Sequence, residues 1–330
     1  MAWDREREVA IEAVARASRL CRAVQRRLIE GHTLSKDDRS PVTVADFGAQ
    51  ALVGRLLEAA FPADALVGEE DARALRDDAG PLRDEVVAQV RRELPELDAA
   101  AVLDAIDRGR APGGAGRWWT LDPIDGTKGF LRLDQYAVAL ALVEDGEVVL
   151  GALGCPNLPW RASEPDGERG CLFVGVRGEG ALQMRLDGSD ARPITVDDVR
   201  DPALAVFCES VEEGHSSRSH SARVAEQLGI TRPPYRIDSQ CKYAAVSRGD
   251  ASIYLRLPTR ADYTEKIWDH AAGARIVLEA GGRVTDVDGR PLDFGAGRTL
   301  ARNRGRGVVV TNGALHDRVV EAVQRALSEG

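Results

Sequence analysis

The sequence predicts an α/β protein built from two unlike halves: an α+β N-terminal half around an antiparallel sheet, then an α/β C-terminal half. Three observations carry this expectation. Long segments with helical apolar spacing come first, and two runs of alternating apolar residues, each broken by a glycine turn, follow. From about residue 195 short apolar strands alternate with helices. The 330 residues exceed what one small core needs, so two domains are expected, 1–195 and 196–330.

Residues 4–30 place Ala10, Val14, Ala17, Cys21, Val24 and Leu28 at helical spacing, with Gly31 closing the segment. After a polar loop, residues 42–44 read as a short extended piece, and a second helix is expected from about 46 to 60. ALVGEED reads as a short buried strand ending on acids. Residues 71–110, rich in Arg, Asp, Glu and Ala, are expected to form the exposed helices of an insertion, followed by a flexible GRAPGGAGR. QYAVALALVEDGEVVLGALGCP is a hairpin turning at Asp145-Gly146, and GCLFVGVRGEGALQMRL is a second hairpin. Farther on, LAVFCES and ASIYLRLP read as strands, SSRSHSARVAEQLG and SQCKYAAVSRGD as helices. IWDHAAGARIVLEAGG is a helix with glycines past its end. RVTDVDG is a strand whose Asp286 and Asp288 are turn residues, GVVVTNG a strand, and ALHDRVVEAVQRAL the last helix.

The composition, 44% hydrophobic and 29% charged, is that of a globular protein, and no run approaches the roughly 18 apolar residues of a membrane span. The N-terminal MAWDREREVAIEAVARAS is charged and helical in pattern and lacks a signal-peptide core; Trp3 reads as packing and the arginines as a solvated face. The five cysteines (Cys21, Cys155, Cys171, Cys208, Cys241) are scattered without a Cys-x-x-Cys pair. That pattern suits a reducing cytoplasm and neither a disulfide framework nor a zinc ribbon. A net charge of −9 argues against a sequence-independent grip on polymeric nucleic acid. A small anionic substrate stays open if metal and a few local bases hold it.

The chemistry concentrates in WWTLDPIDGTKGF, residues 118–130. Trp118, Trp119 and Leu121 read as the end of a buried strand that Pro123 should stop, because proline removes a donor. Gly126 allows the bend that follows, leaving Asp122 and Asp125 on either side of one turn. Adjacent buried carboxylates repel, so a cation between them is one reading. Asp-Pro and Asp-Gly are also ordinary turn dipeptides, and this stretch alone leaves the two readings level. Other acids sit at element ends: Asp46 after SPVTVA, Glu69 and Glu70 after LVG, and Asp269 at the start of WDHAAGA. A lone aspartate is more often a cap or a surface acid, and Asp269 suits a helix start. Taken together they form an all-oxygen set, which suits Mg²⁺ better than zinc. Thr127 follows Gly126 at an expected helix N-terminus, where backbone N–H groups receive phosphate. The lysine of GTK lacks a preceding Gly-x-x-x-x-Gly, so a nucleotide P-loop is ruled out.

SPVTVADFG, GEE, LDPIDGTKGF and WDHAAG, in this order and rough spacing, resemble the lithium-sensitive, magnesium-dependent phosphatases of the inositol monophosphatase superfamily. GTKGFLRLDQYAVALALVEDGEVVLGALGCPNLP, ESVEEGHSS, DSQCKYAAVSRGDASIYLRLP and EKIWDHAAGARIVLEAGG look like its 3′(2′),5′-bisphosphate nucleotidase subgroup. The resemblance covers nearly the whole chain and is weakest over 71–117 and 185–205. One departure is Leu133, where a glycine is expected before DQYA.

The resemblance implies a layered αβαβα sugar-phosphatase fold with Mg²⁺ as cofactor, two or three ions per site. It makes Glu69, Asp122, Asp125 and Asp269 metal ligands, with the Ile124 backbone carbonyl as another, and leaves Glu70 as a neighbour. Asp46 and Thr127 would position and deprotonate the attacking water. Gly126 and Thr127, with His215, Ser239, Lys242 and Arg256, would hold a small anionic nucleotide, the last four at its second phosphate. Lysine and arginine are apt for a dianion, although a helix-face lysine and a strand-end arginine are also ordinary. The implied reaction removes the 3′-phosphate of adenosine 3′,5′-bisphosphate, and also takes in the sulfated precursor. An inositol (poly)phosphate phosphatase and an inactive anion-binding relative stand as alternatives. A glycosidase is disfavoured, because its two carboxylates need open separation rather than one turn.

Overall fold

The computed structural model describes residues 2–29, 40–77, 80–211, 218–257 and 262–329. Helices α1 (Asp4–Ile29) and α2 (Ser40–Ala60) pack together on one face of a seven-stranded sheet. Its strands follow chain order across the sheet: β1 (Ala65–Gly68), β2 (Arg117–Asp125), β3 (Ala137–Glu144), β4 (Glu147–Pro159), β5 (Arg169–Val176), β6 (Gly180–Arg185) and β7 (Arg192–Ile194). Only β1 and β2 run parallel; the remaining pairs are antiparallel. The β3–β4 turn falls at Asp145-Gly146, both at positive φ, the geometry that two-residue hairpins favour.

A second sheet has the order β11 (Arg283–Thr285), β12 (Val308–Thr311), β10 (Ile253–Arg256), β8 (Phe207–Glu209), β9 (Tyr235–Arg236). Helices α8 (Cys241–Ser247) and α9 (Ala271–Glu279) fill the space between the sheets. Helices α7 (Arg218–Gln227) and α10 (His316–Ser328) close the far side. Five layers result, αβαβα. Strand periodicity explains the three cores. On β3, Val138, Leu140 and Leu142 face α1 and α2, while Ala137, Ala139 and Ala141 face α8 and α9. Each fully buried leucine on that first face contributes about 1.5–3 kcal/mol. The small residues on the second face let α9 approach closely: a Cβ on Gly151 would lie 2.4 Å from the carbonyl oxygen of Ala272. Close seating of α9 fixes the height of the turn that precedes it.

Four local expectations are corrected. Residues 42–44 are helical, because α2 begins at Ser40. Pro41 is tolerated in a first helical turn, and burial of Val42 and Val44 outweighs their β-branching. Strand β2 does not end at Pro123; its pairing with β3 slips between Asp122 and Asp125 and resumes at Asp125 opposite Ala137. That irregularity absorbs the missing proline donor. Region 71–110 is helical, as α3 (Arg73–Asp77), α4 (Pro81–Val90) and α5 (Ala99–Asp107), but it is not simply an exposed insertion. Val86, Val90, Val102 and Ile106 are buried, and α4 and α5 pack on α2. Asp269 does not open α9; it ends a 3₁₀ turn, Ile267–Asp269, ahead of it.

Candidate active site

Strand β2 delivers Asp122 and Asp125 to the top of the first sheet, and parallel β1 delivers Glu69 beside them. The amide of Glu69 donates to the carbonyl of Leu121 at 3.3 Å. Behind β1, the buried amide of Gln50 on α2 accepts from Glu70 N at 3.0 Å and donates to Glu70 O at 2.6 Å. Gly126 follows Asp125 with φ of 91°, a left-handed conformation that glycine adopts without strain. It caps the short helix α6 (Thr127–Leu131), so Thr127 stands at the helix start and is exposed. From the opposite layer, Ser239 precedes α8, Lys242 lies in it, Arg256 ends β10 and Asp269 precedes α9.

These residues line one cleft of about 480 Å³. Glu69, Asp122, Ile124, Asp125 and Asp269 occupy its acid end; Gly126, Thr127, Ser239, Lys242 and Arg256 share its lining. Asp46 does not reach the cleft wall. It sits on α2 behind Glu69 and Glu70, and no hydrogen bond joins it to Thr127 among the described residues. His215 lies outside the described residues.

The acid end is electrostatically crowded. Glu69 opens onto the cleft yet is walled by protein, and that burial, with the charges of Asp269, Glu70 and Asp125, raises its carboxyl to about 7 against a hydrogen bond to Asp122. Burial and Asp269 lift Asp125 to about 6, although Lys242, the Gln240 amide and Arg256 pull the other way. Asp122 is pushed up by burial and by Glu69 and Asp125; Asp46 by burial, Glu70 and Glu69. Asp122 Oδ1 is buried with no hydrogen-bond partner. A buried carboxylate oxygen without a donor, inside a group of mutually repelling acids, is the environment a hard cation satisfies. The donor set therefore fits Mg²⁺.

Basic groups sit beside it. Lys242 is almost wholly buried, its ammonium 5.2 Å from the Tyr254 ring centroid; burial lowers its pKa, and the charge of Asp125 opposes the shift. Arg256 Nη2 lies 3.1 Å from Asp269 Oδ2 and 2.7 Å from Glu265 Oε2. Burial alone would raise the Glu265 carboxyl, but hydrogen bonding from His270 and the charge of Arg256 hold it at about 2. Glu265, Asp269 and His270 offer ligand atoms within 4.8 Å of one another, but there the guanidinium of Arg256 already supplies the positive charge.

Motif reading missed Glu265, His270, Tyr243, Tyr263 and Gln240. Gln240 ties the site together: its amide N donates to Asp125 Oδ2, its side chain donates to Trp268 O at 2.8 Å and accepts from Gly273 N at 3.0 Å. Tyr263 lines the cleft next to Arg256. A signal for the first two existed in EKIWDH, where three further ionisable side chains, Glu265, Lys266 and His270, flank the aspartate within five residues. Gln240 carries no such sign, since its role depends on a contact with residue 125.

Comparisons with known proteins give the family and the fold. Residues 3–328 match the inositol monophosphatase family. A 3′(2′),5′-bisphosphate nucleotidase of Emericella nidulans is 46% identical over 99% of this chain and 99% of its own. Proteins of the same name from Schizosaccharomyces pombe (46%, covering 100% and 98%) and Oryza sativa (45%, covering 98% and 95%) are similar throughout. Among solved structures, an inositol monophosphatase from Zymomonas mobilis superposes with a TM-score of 0.65 at 22% identity, over 98% of this chain and 99% of that one. The Thermotoga maritima inositol monophosphatase gives 0.63 at 20% identity, over 98% of each chain. With five layers, an acid-lined cleft and a match over almost its whole length, the chain belongs to the inositol monophosphatase family.

Proposed function

We propose that this chain is a 3′(2′),5′-bisphosphate nucleotidase, a phosphomonoesterase that removes the 3′-phosphate of adenosine 3′,5′-bisphosphate to give AMP and phosphate. It would accept the sulfated precursor, 3′-phosphoadenosine 5′-phosphosulfate, at the same site. One observation carries the reading: a single cleft joins a group of crowded, mutually repelling carboxylates to a buried lysine and an arginine. A substrate with two separated anionic groups matches both ends, and the names of the near-full-length relatives favour the nucleotide.

Glu69, Asp122, Asp125, Asp269 and the Ile124 carbonyl would hold two or three Mg²⁺ ions, which supply charge neutralisation at phosphoryl oxygens and a more acidic water. The chain's own groups do the rest. Thr127 would orient the water through its hydroxyl, and Asp46, set on α2 behind Glu69 and Glu70 rather than on the cleft wall, would act with it to take up the water's proton. The first amides of α6, beside Gly126, receive the reacting phosphate, and Ser239, Lys242, Arg256 and His215 hold the second. The division at residue 195 belongs to this reading: the seven-stranded sheet lies within 65–194 and the other within 207–311. We place the protein in the cytoplasm. Its five cysteines are free and buried, and no helix among the described residues is long and apolar enough to cross a membrane.

The test is phosphate release from adenosine 3′,5′-bisphosphate, inositol 1-phosphate, inositol 1,4-bisphosphate and fructose 1,6-bisphosphate at equal concentration with Mg²⁺. The nucleotide should lead by at least tenfold in kcat/KM. A lead for either inositol phosphate overturns the assignment.

A further inference from the structure

Behind Arg256 runs a chain of buried polar contacts that the proposed chemistry does not use. Glu265 Oε2 lies 3.2 Å from His270 Nε2, and His270 Nδ1 lies 2.7 Å from the Tyr243 hydroxyl. Tyr243 and His270 are essentially without solvent contact, and Glu265 is 7% exposed. An ionised carboxylate can only accept, so a proton of His270 belongs on Nε2 and points at Glu265. Nδ1 pairs with the Tyr243 hydroxyl, which can accept or donate there. The ring is held from both sides, and through it the carboxylate.

We infer that Tyr243, His270 and Glu265 form a positioning relay that sets the guanidinium of Arg256 and thereby the preference of the cleft for a substrate with a second phosphate. This inference rests on the nucleotidase reading and deepens it. Arg256 Nη2 is shared between two carboxylates, Asp269 and Glu265. Asp269 belongs to the acid end, so its charge is committed there once a cation is held. Glu265 has no place at the acid end: it does not line the cleft, and its partners are Arg256 and His270. It is the anchor of Arg256 that stays constant. A guanidinium held by a buried, oriented carboxylate presents its remaining N–H fork in a fixed direction, the requirement for recognising a phosphate rather than merely attracting one. The relay places nothing within the cleft, so these are positioning residues and not catalytic ones.

The test compares kcat and KM for adenosine 3′,5′-bisphosphate and for adenosine 3′-monophosphate in five proteins: wild type, Glu265→Gln, Tyr243→Phe, and Arg256→Ala with and without Glu265→Gln. Glu265→Gln should raise KM for the bisphosphate by about tenfold or more, as partner groups behind a binding residue commonly do. The loss on the monophosphate should be several-fold smaller. Tyr243→Phe removes one hydroxyl and no charge, and should show the same selective pattern at reduced size; it also serves if the glutamine variant folds poorly by thermal unfolding. In the Arg256→Ala background, Glu265→Gln should cost nothing more. Equal losses on both substrates, or a full additional loss without Arg256, overturn the relay. A wild-type protein that does not prefer the bisphosphate overturns the nucleotidase reading and the relay with it, whereas a preference untouched by Glu265→Gln and Tyr243→Phe overturns the relay alone.

Discussion

The backbone amide of Gln240 donates to Oδ2 of Asp125, joining the start of α8 to the last residue of β2. The acid end and the anion-binding end of the cleft are therefore parts of one hydrogen-bonded seam. Ser239, in a left-handed conformation with φ of 64°, stands in that seam against Gly126.

Gly126→Ala tests the seam. A Cβ there lies 2.9 Å from Ser239 Cβ, and φ of 91° is one that side chains resist. The cost should be about 1–3 kcal/mol by urea unfolding. Displacing Ser239 should also reduce kcat/KM for adenosine 3′,5′-bisphosphate by more than tenfold. A variant with wild-type kcat/KM would show that the two ends tolerate relative movement.

Lys242→Ala should raise KM for adenosine 3′,5′-bisphosphate about ten- to a hundredfold, since a charged hydrogen bond is worth about 1.5–3 kcal/mol. Hydrolysis of adenosine 3′-monophosphate should fall much less. If both substrates suffer alike, Lys242 serves the acid end through its closeness to Asp125.

Cation binding should be visible without turnover. The acids around Asp122 repel one another, so Mg²⁺ should raise the melting temperature, and excess chelator should reverse the rise and abolish phosphate release. Asp122→Asn removes one charge from the group, and the metal-free variant should be at least as stable as the metal-free wild type. It should lose both the Mg²⁺-induced shift and activity. A metal-free variant clearly less stable than wild type would mean that Asp122 is satisfied by protein groups after all.

A pH-sensitive element lies away from the cleft, on α10. His316 on α10 is buried between Thr285 Oγ1, 3.0 Å from Nε2, and Thr311 Oγ1, 2.9 Å from Nδ1. Burial, with the nearby charge of Arg283, lowers its pKa from 6.5 to about 4. Between those values the unfolded chain binds the proton and the folded one does not, so stability rises with pH through this window and is lost on acidification. The loss is at most about 3 kcal/mol by pH 4. Urea unfolding of wild type and His316→Gln across pH 4–7.5 should show the wild-type advantage shrinking below pH 6.5. An advantage independent of pH would refute the shift.

Much of this molecule was legible in its sequence because the signals were local. Alternation in QYAVALALVE and the Asp145-Gly146 turn specify a hairpin without reference to anything distant. The acids of GEE follow β1 and those of LDPIDG lie in the last residues of β2, where the two parallel strands open onto the cleft. Residues 42–44 misled, since β-branched side chains favour strands until a neighbouring helix buries them. Region 71–110 misled for a related reason: its charge is real, but its apolar stripe finds α2. The relay was illegible because Tyr243, His270 and Glu265 acquire meaning only when α8 and α9 are packed side by side. Leu133 is the opposite case, a single residue at which sequence and backbone conflict.

That conflict yields the last prediction. Helix α6 ends with Leu133 N donating to Phe130 O at 3.1 Å and Asp134 N donating to Gly129 O at 2.8 Å. These are the two bonds of a Schellman cap, in which the residue after the cap is left-handed and usually glycine. Leu133 occupies that position with φ of 64°, and 39% of its surface is exposed, so its side chain gains little by burial. The left-handed conformation costs a residue with a Cβ about 1–2 kcal/mol, whereas glycine forfeits about 0.5–1 kcal/mol through unfolded-chain entropy. Leu133→Gly should therefore stabilise the protein by roughly 0.5–1 kcal/mol, measured as a raised urea midpoint with an unchanged m-value. Because α6 begins at Thr127, kcat should stay within about twofold of wild type if the cap geometry is already that of the glycine form. A lowered midpoint would show that the exposed leucine makes contacts worth more than its backbone strain. A large change in kcat at an unchanged midpoint would show that residue 133 sets the position of Thr127 rather than merely ending its helix.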